Sequence, residues 1–290
     1  MSHFVKYIIL LSCVAVFSCS RVEYYPDKPS VYKGTCILAH KGGGDSDAGN
    51  TLAGCITGLS LFDGIEVDIQ TSSDNTLWLS HSPYLPACGS FEEDCFVSYA
   101  DAEIIEVDSC LGTDINFSRL ETIFQFLSAN YPDKHISLDA KSWIPCGING
   151  INLIRTMNLF AQAVIDLTTE YHLENRVMVE SENGDFLYYI KQNSDYIETY
   201  LTSFGDFELA VSRALDAGFS GISFAYKGIE PVSAAEVSLI HRKGLKIQLW
   251  TVNDPSDIIE ALLINPDYIQ TDNLDIKAGK GTIESYQSIR

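Results

Sequence analysis

"GIEVDIQ", residues 64–70, sets β-branched Ile65, Val67 and Ile69 alternately with Glu66 and Asp68. A period of two is the mark of a strand, and it puts both carboxylates on the same side. Ile65, Val67 and Ile69 make that strand a buried one. Like charges on one face of a buried strand repel each other and lose their hydration, a cost of several kcal/mol unless something balances them. A strand of this kind needs a cation opposite it.

Outward from residue 70, strands and helices alternate. "TCILAH" (35–40) is a short apolar run, followed by the glycine-rich turn "KGGG" and the helical spacing of "NTLAGCITGLSLF" (50–62), capped by Asn50 or Thr51. "TLWLSH" (76–81) follows the central strand as a hairpin partner, and residues 82–117 then break the rhythm as a polar, cysteine-bearing insertion. Beyond it come the strands "HISLDAK" (135–141), "RVMVES" (176–181), "IETYLTS" (197–203), "FSGISF" (219–224), "LKIQLWTVND" (245–254) and "DYIQTDN" (267–273), separated by helical segments. Eight strand–helix units in residues 35–290 predict an α/β fold, a (β/α)8 TIM barrel with a small inserted segment after the second strand. No sequence is left over for a second domain.

A barrel of this type carries its chemistry at the C-terminal ends of its strands. Those ends bring His40, Glu66, Asp68, Asp139, Lys141, Glu180, Trp250 and Asp272 to one mouth, with His81 at the end of the hairpin. Glu66, Asp68 and Asp139 suit a hard divalent cation, Ca2+ or Mg2+, which binds oxygen ligands. No cysteine is placed to make the site one for zinc. His40 and His81 beside the acids read as a general base and a general acid. The other four histidines fall in the N-terminal segment, at strand starts or in helices.

The motifs "AHKGG…GNTLAG…GIEVDIQTSSDNTLWLSH", with "GLKIQLWTVND" and "DYIQTDN" at the far end, resemble the glycerophosphodiester phosphodiesterase family over about residues 35–275. The resemblance implies a barrel, one divalent cation, and hydrolysis of glycerophosphodiesters to glycerol 3-phosphate and an alcohol. It implies His40 and His81 as the acid/base pair, Glu66, Asp68 and Asp139 as metal ligands, Lys41 and Lys141 at the phosphate, and Trp250 in the pocket wall. Against the family pattern, Lys41 replaces an arginine, Gly49 and Ser82 replace acidic residues, and Asp139 replaces a glutamate. These departures bear on the substrate, and two further readings stay open. One is a phospholipase-D-like enzyme acting on intact phospholipids; the other is a non-catalytic surface lipoprotein that binds a glycerophosphate or a glycan.

The formal net charge of −20 argues against a nucleic-acid surface, and no protein partner is implied. At the N-terminus, Lys6 and the apolar "YIILLSCVAVF" (7–17) have signal-peptide length, short of a membrane span. "VFSC" resembles a bacterial lipoprotein signal, so that residues 1–18 are a signal peptide, Cys19 is lipidated, and the polar residues 19–34 form a tether. The expectation is an exported bacterial lipoprotein, membrane-anchored on the periplasmic or cell surface. Of the six remaining cysteines, Cys88 and Cys95 bracket a polar loop in "CGSFEEDC" and are the expected disulfide, while Cys36 and Cys55 read as buried thiols.

Overall fold

The computed structural model describes residues 34–45, 48–112, 117–144, 146–228 and 231–276. Cys19, the expected signal and the tether up to residue 33 lie outside the described residues. Strand β1 (Cys36–Ala39) leads to α1 (Leu52–Leu61), and β2 (Gly64–Thr71) turns into the short antiparallel β3 (Leu77–Leu79). Then follow β4 (Tyr84–Leu85), β5 (Asp94–Cys95), α2 (Asp101–Leu111) and α3 (Leu120–Asn130). The remaining units are β6 (His135–Ala140), α4 (Gly150–Glu170), β7 (Val177–Ser181), α5 (Gly184–Asn193), β8 (Glu198–Ser203) and α6 (Phe207–Ala217). They end with β9 (Gly221–Ala225), α7 (Ala234–Arg242), β10 (Lys246–Trp250), α8 (Pro255–Ile264) and β11 (Tyr268–Thr271).

Eight parallel strands run in the order β1-β2-β6-β7-β8-β9-β10-β11, and β1 pairs with both β2 and β11, so the sheet closes on itself. The barrel predicted from the alternation is therefore present. Its outer faces carry apolar residues such as Ile37, Ile65, Val67, Leu138, Val179, Ile222 and Ile247 into the main core, where the helices pack. Alternation sends their neighbours inward. At the N-terminal end the interior holds Leu38, Met178, Tyr200 and Tyr268, a plug of apolar and aromatic side chains. Above it the filling turns polar, with Ser137, Glu180, Ser223, Gln248 and Gln270 all buried. The helices begin where local chemistry allows: Thr51 caps α1 by accepting from Gly54 N at 3.1 Å, one of the two capping residues expected.

The inserted segment corrects two expectations. It contains a helix, α2, which presents Ile104 and Val107 to a small core formed by Trp78, Leu85 and Phe96. Its acidic, polar first turn hides the 3.6-residue period. The disulfides are Cys88–Cys110 and Cys95–Cys146, so the expected Cys88–Cys95 bridge is not formed. The reason is local: Cys88 turns back on Phe91, while Cys95 pairs with Tyr84 across the β4–β5 hairpin. The two sulfurs are thereby sent to different partners, α2 and the loop after β6. Cys36 and Cys55 lie outside both bridges, and Cys55 is fully buried.

Candidate active site

Strand register assembles the acids. Across β2 and β6, Asp68 sits beside Asp139, and across β6 and β7, Asp139 sits beside Glu180. Glu66 is two residues back on β2, so three strands present four carboxylates to one end of the barrel. Ligand oxygens of Glu66, Asp68 and Asp139 all lie within 4.8 Å of one another. These were the three residues expected to hold a cation. His40, Lys41, Asp68, His81, Asp139, Lys141 and Trp250 line one open cavity of about 970 Å³ at this mouth. Glu66 lies just beneath, its Oε2 3.7 Å from His40 Nε2.

Each acid is treated differently. Asp68 is clamped by Asn50, whose Nδ2 donates to Oδ2 at 2.7 Å while its Oδ1 accepts from Asp68 N at 2.9 Å. Asn50 reaches it from a left-handed backbone, φ 57°, just ahead of the Thr51 cap. Lys141 Nζ spans the other two contacts, 2.8 Å from Asp68 Oδ1 and 2.5 Å from Asp139 Oδ2. Burial works to raise the Asp68 carboxyl, but Lys141, His81 and Asn50 together hold it below the usual range. Glu66 Oε2 accepts from Lys41 N at 2.8 Å, whereas Oε1 is buried with no partner. Burial and the charges of Asp68, Glu180 and Asp139 push the Glu66 carboxyl well above its ordinary value.

A buried orphan carboxylate oxygen, flanked by two more acids, is a donor set with room for a cation. The charges agree: three formal negative charges and one Lys141 leave an excess of two. The residues present therefore fit a divalent ion with oxygen ligands.

The histidines stand over this cluster. His40 Nδ1 meets Asp272 Oδ1 at 2.6 Å, and Asp272 is itself held by Asn253, through Nδ2 to Oδ2 at 2.8 Å and from Asp272 N to Asn253 Oδ1 at 2.8 Å. Burial would raise Asp272, yet its hydrogen bond and charge interaction with His40 keep it below the usual carboxylate range. Gly44 permits the close packing of the turn on this corner, because a Cβ there would meet Asp272 O at 2.6 Å. His81 stands at the cavity rim, where partial loss of hydration, with Lys141 and against the pull of Asp68, lowers its pKa. Ser82, in the aspartate position, bonds into its own turn with Tyr84 rather than to His81. Lys41 pairs its ammonium with Asp45 at 3.0 Å on the cavity edge.

Beneath the acids, Glu180 accepts from Ser137 Oγ at 2.9 Å, Gln248 Nε2 at 2.8 Å and Gln270 Nε2 at 2.7 Å, and from Ser223 Oγ. Reading the sequence places Asp272 and Glu180 at the mouth without a task. Asn50 reads there as a candidate helix cap, and Asn253 is given no role. The structure assigns Asn50 to holding Asp68, and Asp272 with Asn253 to holding His40, while Glu180 sits beneath the acids among Ser137, Ser223, Gln248 and Gln270.

Two imidazoles and a carboxylate cluster thus share the C-terminal mouth of a (β/α)8 barrel, the end at which enzymes of this fold carry their chemistry. The glycerophosphoryl diester phosphodiesterase family model matches residues 40–276, and the chain belongs to that family of phosphoric diester hydrolases. Solved structures agree on the fold. A glycerophosphodiester phosphodiesterase from Parabacteroides distasonis is 16% identical, covering 89% of this chain and 99% of its own, with a TM-score of 0.66. An Oleispira antarctica phosphodiesterase in complex with the product sn-glycerol-3-phosphate is 17% identical, covering 86% and 97%, with a TM-score of 0.68. The Thermotoga maritima glycerophosphodiester phosphodiesterase gives 17%, 84%, 97% and 0.60 in the same order. No curated protein sequence matches the chain.

Proposed function

We propose that this hydrolase is metal-dependent and splits glycerophosphodiesters into glycerol 3-phosphate and an alcohol, with His40 and His81 as its acid/base pair. The observation that carries the reading is the pair of imidazoles facing one cavity above Glu66, Asp68 and Asp139. Glu66, Asp68 and Asp139 would hold one Ca2+ or Mg2+, which supplies Lewis-acid stabilisation of the charge on the phosphoryl oxygens. Lys141 and Lys41 add positive charge at the cavity wall for the phosphate.

In this reading His81, at the cavity rim, takes the proton of a glycerol hydroxyl next to the phosphoester. That oxygen bonds to phosphorus as the bond to the alcohol oxygen breaks. His40, its ring fixed by Asp272, gives the departing oxygen a proton. Water then opens the cyclic phosphate with the two roles reversed. The test is turnover of glycerophosphocholine with product identification. The His40→Ala and His81→Ala variants should each lose about 100–10,000-fold in kcat with unchanged melting. Release of phosphocholine and glycerol, or near-normal turnover in both variants, would overturn the assignment.

We further propose that the chain is exported and lipid-anchored through Cys19, as "VFSC" after an apolar stretch supports. Among the described residues no helix is long and apolar enough to cross a membrane. Metabolic labelling with a radioactive fatty acid checks it: wild-type protein should take up label and Cys19→Ala should not.

A further inference from the structure

The cavity joins charged groups to a lining of large apolar side chains. The reacting groups come from the β1, β2 and β6 sector, whereas Phe204 follows β8 and Trp250 ends β10, strands that lie opposite β1 and β6 in the barrel order. Their rings meet edge to face with centroids 5.0 Å apart. Trp143, Ile144 and Leu153, from the loop after β6 and the start of α4, add apolar lining to the same cavity. Trp143 is 70% exposed and Phe204 52%. Large apolar side chains left open to water beside a reactive centre mark a binding surface. The loop that carries Trp143 is fastened to the insertion by Cys95–Cys146, so this wall is built and held. At about 970 Å³ the cavity matches the upper end of those that enclose drug-sized ligands. A deacylated glycerophosphodiester is small and polar, and would leave the apolar wall uncovered.

We infer that this wall seats one hydrocarbon chain of the substrate, and that the preferred diester is a monoacyl glycerophosphodiester. The inference rests on the phosphodiesterase reading above and names its substrate class. The chemistry limits the chain number: the attacking hydroxyl sits on the carbon next to the phosphoester. A chain on the remaining glycerol oxygen leaves that hydroxyl free, whereas a second chain would consume it. Phosphorus then gains the bond to that hydroxyl oxygen and loses the bond to the head-group alcohol, which leaves with a proton. Diacyl phospholipids are thereby excluded.

The experiment compares glycerophosphocholine, a short-chain monoacyl phosphocholine kept below micelle formation, and its diacyl counterpart on the full chain. The monoacyl diester should show kcat/KM at least about tenfold above the deacylated one, since each buried methylene adds to affinity. The diacyl lipid should not turn over. Trp143→Ala and Phe204→Ala, checked for native melting, should each cut the monoacyl-to-deacylated ratio severalfold. Binding of the monoacyl lipid, read by tryptophan fluorescence in EDTA, should weaken in Trp143→Ala whether or not either diester is hydrolysed. Failure of all turnover with that binding difference intact would sink the phosphodiesterase reading and leave the chain site standing. Equal affinity for deacylated and monoacyl diesters would overturn the inference. So would a Trp143→Ala variant that loses only sedimentation with phosphatidylcholine vesicles, which would make the wall a membrane contact.

Discussion

Replacing Lys141 with methionine separates the ammonium's part in balancing the acids from its part at the phosphate. Lys141 Nζ lies between Asp68 and Asp139, and the Asp68 side chain is 1% exposed while that of Lys141 is 23%. Removing one partner of a buried pair costs about 3–5 kcal/mol. Asn50 still holds Asp68, and Lys141 is partly solvated, which puts this case at the lower end, about 3 kcal/mol. In a domain of this size each kcal/mol moves the melting point by about 2–4 °C, so in EDTA Lys141→Met should melt about 6–12 °C below wild type. A divalent ion at 100 times its Kd returns about 2.7 kcal/mol. The variant should gain more from it than wild type, where Lys141 already occupies the same oxygens. A tenfold tighter Kd in the variant would narrow the gap by about 1.4 kcal/mol, so calorimetry in EDTA and in saturating Ca2+ or Mg2+ should show a smaller gap with the ion, while turnover stays impaired. An equal gap with and without the cation would refute the reasoning, since Lys141 would then be a structural partner only.

Asp272→Asn should cost about 10–100-fold in kcat/KM with native melting, the worth of one hydrogen bond between charged groups; a loss under twofold would remove Asp272 from the positioning of His40. Burial, then Glu180 and Asp68 against the opposing pull of Lys141, push the Asp139 carboxyl up to about 8, and Glu66 is raised as well. In that window the folded chain binds protons that the unfolded chain has released, so stability falls as pH rises. Urea titrations of chelated protein across about pH 5–8 should show this decline, and stability that climbs with pH would contradict it.

The barrel was legible because its signals are local. Alternation in "GIEVDIQ" and the regular return of apolar runs fix where strands begin, and strand ends fix which side chains meet. The triad Glu66, Asp68 and Asp139 follows from two adjacent strands in register. What stayed hidden depends on distance along the chain. His40 and Asp272 are 232 residues apart, and only closure of β1 on β11 brings them together. Asn50 reads equally well as a helix cap, and its side chain turns to Asp68 because its backbone is left-handed. The disulfides went astray for the same reason: sequence proximity favours Cys88 with Cys95, while the β4–β5 hairpin and α2 decide the partners.

In the function proposed above, Glu66, Asp68 and Asp139 hold one divalent cation on which turnover depends. Calorimetric titration of chelated protein with Ca2+ and with Mg2+, followed by assay of the same samples on glycerophosphocholine, tests it most directly. One site per chain should fill, activity should return with occupancy, and Glu66→Gln should weaken binding and activity together. Full turnover in excess EDTA, with no heat of binding for either ion, would contradict it.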